Sequence, residues 1–181
     1  MMMTRRTPRP AAVDAAGGDQ SFAIALMQHL VVPTFVLDAE GKVLIWNRAC
    51  ERLTGVPASE VLGTTDHVFA FYDEPRPCLA DLIAQGRVAE IEGFYAAYDN
   101  DSSSQLGFHV ENWCRMPRVG TRLYLAVDAG PIYDEAGHLV AVVETLRDMT
   151  VQKEAQLQLE RLASQDRSEE HTSELQSRQV I

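Results

Sequence analysis

Residues 34–47 read Thr34-Phe35-Val36-Leu37-Asp38-Ala39-Glu40-Gly41-Lys42-Val43-Leu44-Ile45-Trp46-Asn47. Two β-rich runs flank an acidic turn that contains one glycine, and that arrangement predicts a hairpin. Asn47 follows the second run at once. Its side chain can accept from the first free backbone N–H groups of a helix, so a helix over Arg48–Leu53 is expected, with Gly55 ending it. A further short helix over about Ala58–Leu62 stops at Gly63. Upstream, Phe22, Ile24, Leu26, Met27 and Leu30 fit an amphipathic helix over 20–30. Downstream, Pro75 and Pro77 precede a helix over Cys78–Gln85, with Leu79, Leu82 and Ile83 on one face.

The second half changes period. Phe108–Met116, Arg122–Asp128 and Leu139–Leu146 read as strands, and Asp134-Glu135-Ala136-Gly137-His138 between the last two is another acidic glycine turn. Asp99–Gln105 reads as a polar loop tip. Two strands, several short helices, then three strands predict an α+β domain: an antiparallel sheet of about five strands with short helices on one face. After Asp148-Met149-Thr150 the pattern turns helical. Val151, Ala155, Leu159 and Leu162 make a narrow stripe that suits a coiled coil, and two heptads do not hold alone. The expected organisation is a leader over residues 1–18, a domain over 19–150 and a linker helix over 151–166.

Composition sets limits on function. The 181 residues are 46% hydrophobic and 23% charged, an ordinary globular balance. Sixteen basic residues face 26 acidic ones, a net charge of −10, and only Lys42 and Lys153 are lysines. Such a surface repels nucleic acid and anionic membranes. No apolar run reaches the roughly 20 residues that span a bilayer, and Met1–Pro10 lacks the apolar stretch of a secretion signal, so a cytoplasmic location is expected. Cys50, Cys78 and Cys114 form no CxxC pair. Their spacing argues against a disulfide framework or a zinc site and for reduced thiols.

These segments together resemble a PAS domain. The resemblance rests on Phe35–Trp46, the Asn47-Arg48-Ala49 helix opening, Gly55, Glu60–Gly63, Gly137-His138-Leu139-Val140-Ala141 and the terminal Asp148-Met149-Thr150. It covers about Leu26–Thr150. It implies a sensory module in which Asp148, Met149 and Thr150 join the sheet to an output helix and relay the signal. Ala155, Leu159 and Leu162 would line a helix shared by a homodimer. Residues 71–82 are similar to a variant found ahead of diguanylate cyclase or histidine kinase modules. Leu159–Asp166 resembles the segment that leads into a GGDEF cyclase domain, so a diguanylate cyclase is the expected parent, with a histidine kinase or a non-sensory interaction module as alternatives. The GGDEF signature is missing from the chain. Residues 167–177 resemble the translation of a sequencing-library adapter, which makes 167–181 an expected non-native tail.

The resemblance also implies a pocket between sheet and helices, from about Val61 to Ile83, that holds haem, flavin, a small acid or nothing. His67, Tyr72, Arg76 and Trp113 are its candidate lining. His67, or His109 at a strand start, could reach a haem iron, or each could be an ordinary polar residue. Asn112-Trp113-Cys114-Arg115 is only superficially like a flavin-reactive cysteine motif, because it falls in a strand. No motif supports either cofactor, and none is assigned. Arg76 could hold a ligand carboxylate bidentately, with Tyr72 and Trp113 as an aromatic wall, or tie to Asp73, Glu74 or Asp81. The cysteines fit small buried side chains. No catalytic constellation is expected, and no metal site.

Overall fold

The computed structural model describes residues 15–95, 97–99 and 107–177. Helix α1 (Ala15–His29) precedes strands β1 (Thr34–Asp38) and β2 (Val43–Trp46). Helices α2 (Arg48–Thr54) and α3 (Ala58–Val61) follow, then a 3-10 turn (Asp66–Ala70) and α4 (Leu79–Ala84). A second 3-10 turn (Val88–Glu90), α5 (Ile91–Phe94) and β3 (Ala97–Asp99) lead into the long strands β4 (Phe108–Cys114), β5 (Leu123–Tyr133) and β6 (Leu139–Asp148). Helix α6 (Thr150–Ser177) closes the described chain.

Local chemistry sets the two predicted turns. Asp38 Oδ1 accepts from the backbone N–H groups of Glu40 and Lys42 at 3.0 and 2.8 Å. Asp134 Oδ1 does the same for Ala136 and His138 at 2.9 and 2.8 Å. In each turn the glycine that follows, Gly41 or Gly137, takes a positive φ of 82° or 84° that other residues resist. Asn47 does more than cap. Its Oδ1 accepts from Cys50 N at 2.9 Å and Thr34 N at 3.1 Å, and its Nδ2 donates to Val32 O at 2.8 Å. One buried side chain thus joins the start of α2 to the entry of β1.

The sheet is antiparallel throughout, in the order β2-β1-β6-β5-β4-β3. The five expected strands are present, and the three-residue β3 adds a sixth at one edge. That segment is too short for alternation to reveal it; the rest of the expected 99–105 loop tip lies outside the described residues. Strand β5 runs on to Tyr133, past its expected end at Asp128 and through Gly130-Pro131. Beyond Ala129 the strand pairs only with β6, so the N–H that Pro131 lacks is not needed there. The first helix starts at Ala15, earlier than its apolar spacing indicates.

The sheet face under α2–α5 carries the core. Phe35, Leu37, Trp46, Val110, Leu125 and Leu146 are all buried against Cys50, Leu79, Leu82 and Ile91. Trp46 sends its indole N–H to Val56 O at 3.0 Å. Burying such aromatic and aliphatic side chains contributes about 1.5–3 kcal/mol each.

Candidate functional site

Under the helices the core is polar in one place. His67, in the first 3-10 turn, is fully buried, and its ring packs 5.3 Å from that of Phe35. Its Nε2 lies 3.2 Å from Asp81 Oδ2, while Nδ1 is buried without a hydrogen-bond partner. Asp81 Oδ2 also accepts from the backbone N–H of Cys78 at 2.8 Å, which fixes the first turn of α4. From the sheet side, Glu144 on β6 reaches the next residues of that turn and accepts from Ala80 N at 2.7 Å. Burial, and secondarily the Asp81 charge, push the Glu144 carboxyl up to about 8; the Ala80 hydrogen bond opposes them. Glu144 therefore holds a proton at neutral pH.

Arg76 sits beside this cluster in an aromatic box. Its guanidinium lies 4.5 Å from the Tyr72 ring centre, 5.0 Å from Tyr95 and 5.6 Å from Phe94. It donates to Phe94 O at 2.6 Å, and its Nε is buried and unpartnered. Among the described residues it pairs with no carboxylate; Asp73 instead pairs with Arg115 at 3.0 Å. Two clefts open alongside. One of about 280 Å³ is bordered by Tyr72, Asp73, Arg76 and Arg115. Another of about 270 Å³ is bordered by Glu40, Arg76, Asp81 and Arg87.

The structure thus brings His67, Tyr72 and Arg76 to one side of the sheet, and it corrects Trp113. Strand alternation puts Cys114 inward and Trp113 on the opposite face, against Tyr124 with ring centres 5.1 Å apart and under the Arg122 guanidinium at 4.4 Å. His109 lies on that outer face too, bonded to Asp128 at 2.8 Å. The three cysteines are buried. Burial pushes the thiols of Cys50 and Cys78 up and that of Cys114 up to about 11, so at neutral pH they are protonated and poor nucleophiles.

The Asp148–Thr150 segment is tied to the middle of the sheet. Asp148 Oδ1 accepts from Thr150 N at 2.9 Å and Thr150 Oγ1 at 2.5 Å, at the start of α6 where the helix dipole favours a carboxylate. Tyr124 N donates to Thr150 Oγ1 at 2.9 Å, Met149 N donates to Tyr124 O at 2.8 Å, and Lys153 Nζ lies 4.8 Å over the Tyr124 ring. The Tyr124 hydroxyl donates to Glu111 Oε2 at 2.8 Å. One β5 residue therefore holds the start of α6 through its backbone N–H, its carbonyl and its ring, while its hydroxyl ties to β4. Farther along α6, Leu157 is half-buried, whereas Val151, Ala155, Leu159 and Leu162 are exposed.

Sequence reading missed Glu144 and Tyr124. Glu144 had a signal: it falls between Val142 and Leu146 on the inward alternation of a strand, where a charge is out of place. Tyr124 had none, because its role comes from a partner 26 residues away.

The family model for the PAS fold matches residues 24–149. The chain belongs to the PAS family, the input domains of signalling proteins. It is similar to an RNA-binding light-oxygen-voltage receptor, with 22% identity and a TM-score of 0.54 over 89% of the chain, and it spans 41% of that receptor's length. It is also similar to a PAS domain from Colwellia psychrerythraea, with 17% identity and a TM-score of 0.50 over 73% of this chain and 98% of that one. A PAS domain from a two-component sensor histidine kinase aligns at 14% identity with a TM-score of 0.49, over 74% of this chain and 98% of that one. No curated protein matches the chain. Among the described residues, no helix is long and apolar enough to cross a membrane.

Proposed function

We propose that this chain is the sensing half of a cytoplasmic signalling protein. It registers a small ligand or a redox event in its PAS domain and passes it through α6, in a homodimer, to a C-terminal output domain. The observation that carries this reading is the attachment of α6. Met149 and Thr150 bond to Tyr124, and Asp148 holds Thr150, so a displacement of β5 against β6 would reach the first turn of the helix directly. Two packings of that turn would set the spacing of paired output domains. The exposed stripe Val151, Ala155, Leu159 and Leu162 supports a second helix as its partner. Arg76, a cation in an aromatic box beside two clefts, supports a ligand that carries a carboxylate.

The likeness of residues 159–166 to a GGDEF lead-in makes diguanylate cyclase the proposed output. Sequencing the genomic locus past the codon for Asp166 tests it: a GGDEF motif supports the cyclase, and a phosphoacceptor helix replaces it with a kinase. Asp148→Ala in the full-length protein tests the relay. The variant should stay folded and lose most of the ligand dependence of the output; a response of wild-type size would refute the relay.

A further inference from the structure

The polar cluster under α4 has the composition of a metal site. One donor atom from each of His67, Cys78 and Asp81 lies within 4.8 Å of the others, and all three residues are buried. We propose that this trio binds a borderline-soft divalent ion of the zinc class. Imidazole, thiolate and carboxylate are the donor types zinc takes, and around a tetrahedral zinc such atoms lie about 3.3–3.8 Å apart. Small side-chain rotations close that gap.

Two further features favour a ligand here. The His67 ring is fully buried with one nitrogen on Asp81 and the other unpartnered, so its hydrogen bonding is incomplete without a ligand. There is also a way in. Asp81 borders the cleft of about 270 Å³ that opens between Glu40 and Arg76, and its Oδ1 lies 3.8 Å from where a Cβ on Gly41 would stand. A water from the cleft would complete four ligands. On binding, the Cys78 thiol gives its proton to solvent and the thiolate takes the metal; no electron moves.

The cysteine spacing conceals this site, because only Cys78 and Asp81 are close in sequence and the imidazole comes from a separate turn. The test is titration of the reduced, untagged full chain with Co²⁺, then Zn²⁺. A thiolate-to-cobalt charge-transfer band should rise to one equivalent, with proton release, and Zn²⁺ should abolish it. Cys78→Ser should remove the band, and Asp81→Asn should weaken binding by at least the ~10–100-fold that loss of a supporting hydrogen bond costs such sites. The double variant Cys50→Ser with Cys114→Ser keeps Cys78 as the sole thiol. It should retain the band, and Zn²⁺ should shield that thiol from alkylation. No band in the wild-type chain, or a band that survives Cys78→Ser, overturns the proposal. Should Cys78→Ser not fold, a folded double variant lacking the band and the shielding overturns it.

Discussion

The two faces of the sheet each hold a histidine against an aspartate. Inside, His67 meets Asp81 with side chains 0% and 8% exposed; outside, His109 meets Asp128 with side chains 35% and 46% exposed. The outer pair is also the shorter, 2.8 against 3.2 Å, and has Arg147 on the same aspartate. Contact distance would rank it first. Environment reverses the order. Water and salt screen the outer network, and each of its members can be hydrated if the other is lost. Inside, Asp81 also serves Cys78 N–H, and its loss would leave that donor and the fully buried His67 Nε2 without an acceptor. The inner pair is a structural commitment, and the outer one is an adjustable surface.

The comparison breaks if the inner pair proves dispensable. Asp81→Ala strands two buried donors and should cost about 3–5 kcal/mol in denaturant unfolding; a loss under about 1 kcal/mol would mean that the cluster is open to water. The Glu144 neighbour sharpens the point through pH. Its carboxyl rises from 4.5 unfolded to about 8 folded, so the native state holds the proton more tightly. That contribution is complete below the unfolded value and is lost as pH rises through about 8. Between pH 5 and pH 9, wild-type stability should therefore drop by on the order of a few kcal/mol relative to Glu144→Gln, which cannot ionise. Parallel pH profiles for the two proteins would sink the assignment. At the hinge, Thr150→Val leaves Tyr124 N–H without its acceptor and should cost about 1 kcal/mol. Faster amide exchange should be confined to the start of α6. The smallest effect belongs to the outer pair: Asp128→Asn should change stability by less than about 1 kcal/mol, and by less still in 1 M salt.

Legibility followed the range of the interactions. The hairpin turns, the Asn47 cap and the Gly55 stop rest on contacts between near neighbours, and residue type alone exposes them. Strand order was readable only as a class. That β1 lies between β2 and β6 requires Phe35 to pair with both Trp46 and Glu144, which no local pattern encodes. Trp113 fails for the converse reason. An aromatic residue next to a cysteine invites a pocket reading, but period-two alternation sends the two to opposite faces. Arg76 lies between these cases: its type suggested a carboxylate partner, and the fold surrounded it instead with three rings and a carbonyl.

What residue order alone determined about this protein is its family, its α+β class and the junction of sheet and C-terminal helix at Asp148–Thr150, since each depends on short motifs in a fixed succession. What only the tertiary structure decided is the chemistry of its interior. Glu144 acquires a proton, His67 an aspartate and Cys78 a neighbouring imidazole because sheet and helices close over them and remove the water. Ionisation and metal affinity depend on that exclusion and on donors from distant turns, and neither is a property of any one segment.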